Sequence, residues 1–170
     1  MATINQVPLV CIGNISGGTS IARAYPEAAS QTFVQGEAVY LDGNGRVAEY
    51  TTAIDDATQR FLGFAAEDGH NNATAGGSSC LVDLAGGGNL FEANVTNAGA
   101  AQITAITQPG LLRPLYLDAG NARVQVDIGD TADNGDWVRI LELSKKDAVG
   151  DTYGRVVFTI VPAGIQVLGT

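Results

Sequence analysis

Short stretches of alternating apolar and polar residues, separated by glycine-rich turns, run through most of this chain. The pattern is clearest in residues 33–69. Residues 37–41 alternate, the tetrapeptide Asp42-Gly43-Asn44-Gly45 readily takes the positive φ angles of a reverse turn, and residues 47–50 lead the chain back. A further apolar run at 61–66 is broken by Gly63. We therefore predict a tight β-hairpin followed by a third strand.

The same kind of pattern recurs to the end of the chain. Further strands are predicted at residues 7–12, 80–84, 90–95, 115–118, 123–128, 136–143 and 153–162. Roughly nine short strands with glycine-rich turns are typical of an all-β fold, either a small β-barrel or a β-sandwich. The alternative is an α+β fold with one short helix within residues 48–58 or 101–113, and residues 102–107 are ambiguous between strand and helix.

Residues 1–32 have no sustained period, and Pro26 interrupts the only short helical pattern. We interpret them as an extended N-terminal arm preceding a single β domain at 33–170, the alternative being a disordered terminus. Apolar residues spaced along the arm predict that it docks on a partner surface. These candidate partner-binding residues are Val7, Leu9, Val10, Ile12, Ile15, Ile21 and Tyr25.

One internal similarity links residues 38–47 to residues 114–124. Tyr-Leu-Asp, Gly-Asn and Arg-Val recur in the same order, with one residue inserted in the second copy. The similarity indicates either a duplicated hairpin or independent use of the same strand–turn–strand solution.

The charge content and net charge of the chain argue against some classes of function. Only 16% of the 170 residues are charged, against ~25% in a typical soluble domain. The net charge is −9, and Lys145-Lys146 is the only basic doublet, which argues against binding to a phosphate backbone. No apolar run approaches the ~18 residues that cross a bilayer, and no secretion signal is visible at the N-terminus. We expect neither a nucleic-acid nor a membrane partner.

A search for catalytic groups predicts none. His70 is the only histidine and lies in a polar loop, no serine sits in a nucleophile elbow, and the carboxylate pair Glu67-Asp68 has no sign of burial. Cys11 and Cys80 are far apart in sequence and are expected to be free thiols, although a disulfide between them stays open. We expect no enzyme activity and no cofactor.

Metal binding is also not favoured. One histidine and two isolated cysteines do not supply a zinc site. Asp127, Asp130, Asp133 and Asp136 recur at every third position, but this spacing differs from the calcium-binding loop pattern. The alternative is an acidic turn between two strands.

Three stretches carry a resemblance to a known family. Residues 36–47 (GEAVYLDGNGRV), 61–69 (FLGFAAEDG) and 149–158 (VGDTYGRVVF) resemble the head decoration, or capsid cement, proteins of tailed bacteriophages. The resemblance covers most of residues 33–162. It implies a non-enzymatic structural virion protein, made in the host cytoplasm and seated on the outer capsid surface.

The resemblance also implies partners. These are the major capsid protein, whose neighbouring subunits it would clamp, and further copies of the chain itself, most often in a trimer. Two other functions remain open at this stage. One is a carbohydrate- or host-surface-binding fibre module, and the other is a hydrolase with unrecognised carboxylates.

Overall fold

The computed structural model of the protein describes residues 1–50, 60–118, 121–131 and 137–161. Within these ranges the chain forms strands and turns and contains no helix, so the predicted all-β fold is confirmed. The strands are β1 (Val10–Asn14), β2 (Ala22–Pro26), β3 (Ala38–Leu41), β4 (Val47–Glu49), β5 (Arg60–Ala65), β6 (Ser79–Leu84), β7 (Asn89–Thr96), β8 (Leu112–Arg113), β9 (Leu115–Asp118), β10 (Arg123–Asp127), β11 (Val138–Leu143) and β12 (Arg155–Ile160).

A seven-stranded sheet is built around β7. Its order is β8-β11-β12-β7-β10-β9, and β1 pairs with β7 as well. One side of β7 is bonded to β12, while the other side is shared between β1, near Asn89, and β10, near Thr96. β7 is the longest of the described strands, with eight residues, which is why it can hold two neighbours on one side.

A second, five-stranded sheet has the order β2-β6-β5-β3-β4 and nearly closes on itself. A parallel bridge joins Glu27, just after β2, to Val47 at the start of β4, and the Ala28 amide donates to the Val47 carbonyl at 2.8 Å. The first and last strands of the sheet therefore meet, as in a small barrel. We call this junction the barrel seam.

A bulge in β5 places apolar side chains of this strand on both the inner and the outer side of the barrel. The register of β3 against β5 shifts by one residue between Val39 and Tyr40. As a result Phe61 and Phe64 both face the seven-stranded sheet, whereas Leu62 faces the barrel interior. The interior core consists of Phe33, Val39, Val47, Leu62, Ala65, Cys80 and Val82.

The larger core lies between the barrel and the seven-stranded sheet and is rich in aromatic rings. Phe64 and Phe91 meet edge to face with centroids 4.8 Å apart, and Phe91 continues to Phe158 at 5.8 Å. Leu9 is buried in this same core, with 1% of its surface exposed. A Cβ on Gly36 would lie only 2.4 Å from the Leu9 carbonyl oxygen, so the glycine at this position lets the N-terminal segment pack closely.

The N-terminal 32 residues contribute a strand to each sheet. β1 pairs with β7 and β2 pairs with β6, so the segment predicted as an arm docks on its own chain. β1 begins three residues later than the predicted strand at 7–12, and a strand replaces the weak helical pattern beyond residue 21. Pairing with β6 satisfies the backbone groups here, which a pattern within the segment cannot reveal.

Three further expectations from the sequence can be compared with the structure. Residues 102–107 form neither strand nor helix, apart from a single bridge between Ile103 and Thr152. Both stretches of the internal similarity are hairpins with the same register, because Leu41 opposes Val47 in one and Leu117 opposes Val124 in the other. The helix alternative within 48–58 falls mostly outside the described residues.

Candidate functional site

The seven candidate partner-binding residues divide into two groups. Leu9 belongs to the core, and Val7 and Tyr25 are half-buried. The other four are large apolar side chains on the surface, with exposed fractions of 37% for Val10, 46% for Ile12, 64% for Ile15 and 41% for Ile21. We call these four residues the β1 surface.

The turn before β7, together with Asn89 at the start of that strand, positions Ile15 and Ile21. Just beyond β1, the Ile15 amide donates to the Gly88 carbonyl at 2.9 Å. The Ile21 amide donates to Asn89 Oδ1 at 2.8 Å, and Asn89 Nδ2 returns a bond of 2.8 Å to the Ile21 carbonyl. Ile15 and Ile21, six positions apart in sequence, are thereby fixed against one turn.

Glycines in this turn give the two isoleucines their space. A Cβ on Gly87 would lie 2.8 Å from Ile21 Cδ1, and a Cβ on Gly88 would lie 2.8 Å from Ile15 Cγ2. Both glycines also have positive φ, at 79° and 77°. Substitution at either position would be strained and would displace an isoleucine.

Sequence reasoning missed two asparagines that position this surface. Asn89 is fully buried, and Asn14 is 8% exposed. Asn14 Nδ2 donates to the Gly87 carbonyl at 2.7 Å, which ties the end of β1 to the same turn. The only sequence signal was an asparagine directly after three glycines, which indicates a turn but not its partner.

The β1 surface is free of charge. The first charged residue in the chain is Arg23, although the whole chain carries −9. Val10 and Ile12 point outward from β1, which pairs with β7 alone in the described part of the chain. This combination of an open strand edge and outward aliphatic side chains suits pairing with another strand.

The loop histidine has a buried partner that sequence analysis did not find. His70 Nδ1 lies 2.6 Å from Glu27 Oε1, and the His70 amide donates to Glu27 Oε2 at 3.1 Å. Only 1% of the Glu27 side chain is exposed, against 46% of the His70 side chain. The hydrogen bond and charge of Glu27 raise the pKa of His70 above its ordinary value.

This pair ties the loop after β5 to the barrel seam. The Glu27 backbone accepts a bond of 2.8 Å from the Gly76 amide and donates one of 2.9 Å to the Ser78 carbonyl. The sequence placed His70 in a polar loop but could not reveal this pair, because Glu27 lies 43 residues earlier in the chain. Asn72 Nδ2, not a base, contacts the nearby Ser78 hydroxyl, at 3.2 Å.

The two thiols are free, as expected. Burial, reinforced by the negative charges of Glu67 and Glu27, raises the pKa of Cys80 to about 12. Burial also raises the pKa of Cys11. Neither thiol is therefore an activated nucleophile.

The other carboxylates considered from sequence serve as backbone acceptors. Glu67 Oε1 accepts the Leu81 amide at 2.7 Å, and Asp68 Oδ1 accepts the Gln35 amide at 2.8 Å. Asp127 accepts three amides, from Ala98, Gly129 and Asp130, at 3.0–3.2 Å, which matches the turn interpretation of this residue. Asp133 and Asp136 lie outside the described residues.

Across the described ranges, no group of three or more His, Cys, Asp or Glu residues is arranged to hold a metal ion. The same ranges contain no helix of the length and apolarity that a membrane span requires.

Comparisons with known proteins do not assign a family or a function to this chain. No protein-family model matches the chain, and no curated protein or solved structure matches it significantly.

Proposed function

We propose that this chain is a structural virion protein that binds the outer surface of a tailed-bacteriophage capsid and clamps neighbouring major capsid subunits. The observation that carries the proposal is the β1 surface, where four aliphatic side chains and an open strand edge lie in an uncharged segment of an acidic protein. The resemblance of residues 36–47, 61–69 and 149–158 to capsid decoration proteins supports the same function.

The physical basis is the burial of this surface against capsid protein. Full burial of an exposed valine or isoleucine contributes about 1.5–3 kcal/mol, and strand addition at the β1 edge adds backbone hydrogen bonds. β1 carries no charged side chain of its own, and the carboxylate of Asp83 on β6, which lies beside Cys11, is a charge that docking must accommodate. Contacts that are weak singly become strong when an oligomer of the chain, in this proposal a trimer, binds several capsid subunits at once.

The experiment is binding to purified capsid shells that lack the protein. The double variant Ile12→Asn and Ile15→Asn removes two exposed apolar side chains without changing net charge. We expect it to remain folded and to co-sediment with shells at least tenfold more weakly than the parent, because two apolar contacts are lost. The parent is expected to raise the melting temperature of the shells.

Ile106→Asn is the matched control. Ile106 is 79% exposed, is equally uncharged and lies in a turn outside the β1 surface. We expect this variant to bind as the parent does. Failure of the parent chain to co-sediment with any shell, or equal loss of binding in the control, would show the proposal to be wrong.

Point variants test this surface better than truncation of the N-terminal segment. Removing residues 1–30 would delete β1, β2, the buried Leu9 and the buried Glu27. Both sheets would lose a strand, so weakened binding would follow from unfolding as readily as from a lost contact.

A further inference from the structure

A polar groove lies between three separate parts of the chain, outside the β1 surface. Residues 3–7 form one wall, Asn121 and Arg123 form the second, and Tyr153 closes the groove. Its volume is about 720 Å³ and it is open to solvent, which is within the size range of small-molecule sites. We call it the Tyr153 groove.

One buried asparagine holds the walls of this groove in place. Asn94 is fully buried, and its Oδ1 accepts the Val7 amide at 2.8 Å. Its Nδ2 donates to the Asn5 carbonyl at 3.5 Å and to the Tyr153 carbonyl. A single side chain thus joins residues 5–7 to Tyr153, so the groove is formed before any ligand arrives.

Tyr153 is held in a backbone conformation that a bulky residue rarely adopts. Its φ is 55°, in the left-handed region. The Tyr153 amide donates to the Gln102 carbonyl at 2.8 Å, while Asn94 bonds the Tyr153 carbonyl on the other side. Strained residues that are fixed from both sides are concentrated at binding sites, and here the result is an aromatic ring at the groove.

Arg123 brings a guanidinium to the groove, while Asp118, its cross-strand neighbour on β9, accepts a hydrogen bond from Asn121. Arg123 is the only charged residue among those lining the groove, and its Nη1 contacts Gln6 Oε1 at 3.4 Å. Within the described residues it forms no ion pair, whereas Arg155 is paired with Asp147 at 2.6 Å. A guanidinium without a carboxylate partner is suited to a carboxylate from outside the chain.

We propose that the Tyr153 groove binds a sugar that carries a carboxylate, such as a uronic acid. Arg123 pairs with the sugar carboxylate, and the amide side chains of Asn5, Gln6 and Asn121 exchange hydrogen bonds with its hydroxyl groups. The Tyr153 ring covers the apolar face of the sugar ring. This site is independent of the capsid-binding proposal, because it shares no residue with the β1 surface and its test needs no capsid.

The test is titration of the full chain with glucuronic acid, with glucose as the uncharged match, followed by amide NMR shifts. We expect glucuronic acid to bind with a Kd on the order of 1 mM, as one sugar does at an open site, and glucose to bind at least tenfold more weakly. The largest shifts should fall on the amides of Asn5, Asn121 and Tyr153. Acetate, added as a carboxylate without hydroxyl groups, should shift them at least tenfold less at equal concentration.

Two variants and a control complete the test. Arg123→Gln should reduce glucuronic acid binding to the level of glucose, and Tyr153→Asn, which tolerates positive φ, should weaken both. Arg139→Gln, at an exposed position on β11, should bind as the parent does. Equal binding of glucose and glucuronic acid, equal shifts with acetate, or shifts confined to residues outside the groove would each overturn the proposal on the parent chain alone.

Discussion

Two glutamates of this protein are buried, one at the barrel seam and one on the seven-stranded sheet, and their carboxylates have partners of different kinds. Glu27, at the barrel seam, is paired with His70, whose charge depends on pH near neutrality. Glu92, on β7 of the seven-stranded sheet, is paired with Lys146 at 2.6 Å and Arg155 at 3.6 Å. Lysine and arginine, unlike histidine, are residue types that ordinarily stay charged throughout the neutral range. The barrel seam is therefore the pH-dependent half of the molecule, and the Glu92 network is the constant half.

The Glu92 network is also more extensive. Ser144 Oγ donates to Glu92 Oε2 at 2.8 Å, and Arg155 makes two further bonds to Asp147, at 2.8 and 2.6 Å. The side chains of Glu92 and Asp147 are almost fully buried, so removing a paired cation would leave a carboxylate without its partner inside the protein. A buried carboxylate can therefore be paired either with a cation of fixed charge or with a titratable one.

Breaking the constant network should have the largest effect. Arg155→Ala leaves the buried Asp147 without its cation and removes one of two cations from Glu92. We expect a loss of about 3–5 kcal/mol in the free energy of unfolding, measured by urea denaturation at pH 7. Arg139→Ala, an exposed control on β11, should change it by less than about 0.5 kcal/mol. Equal effects of the two substitutions would contradict the assigned role of Arg155.

The barrel seam should show a smaller effect that depends on pH. Because the folded-state pKa of His70 is raised, its pairing with Glu27 contributes stability below the ordinary histidine pKa near 6.5, and that contribution is lost as the pH rises through the folded-state value. Urea denaturation from pH 5.5 to 8.5 should show this decline in the parent and a flatter profile in His70→Gln. The upper limit avoids the region where Cys11 and Cys80, whose pKa values are also raised, begin to destabilise the fold.

The constant network has the opposite sign. Arg155 lowers the pKa of Asp147 below 3.8, so the stability it contributes is present above that pH and is lost only as the pH falls through the lower folded-state value. A parent profile that is flat between pH 5.5 and 8.5 and identical to that of His70→Gln would contradict the contrast between the two halves.

The smallest effect, one of rate and not of stability, concerns the thiols. Cys11 is partly exposed, whereas Cys80 is fully buried inside the barrel. We expect a thiol reagent to modify Cys11 first and Cys80 only when the barrel opens. In a Cys11→Ser variant, modification of Cys80 should accelerate on substituting His70→Gln, because the seam is weakened. If His70→Gln does not accelerate the modification of Cys80 at pH 6, the His70–Glu27 pair does not limit the opening of the barrel.

Local sequence patterns predicted the positions of the strands better than the contacts between strands. Residues 37–41 and 47–50 alternate around a turn, and they fold as the predicted β3–β4 hairpin because the turn residues and the alternation act over adjacent positions. The four exposed residues of the β1 surface were among those named from sequence, since isolated aliphatic residues in a glycine-rich stretch are visible without a fold. Leu9 was in the same set but is buried, because its environment is supplied by Gly36 and the aromatic core.

The all-β class, the hairpin turns, the acidic charge and the uncharged N-terminal segment can therefore be read from the order of residues alone. Tertiary structure alone decided that this segment enters both sheets, that Glu27 meets His70, and that Asn94 joins residues 5–7 to Tyr153. These contacts join residues 43 to 89 positions apart in the chain. Their hydrogen bonds depend on which strands become neighbours, and alternation along a strand specifies its buried face but not its partner.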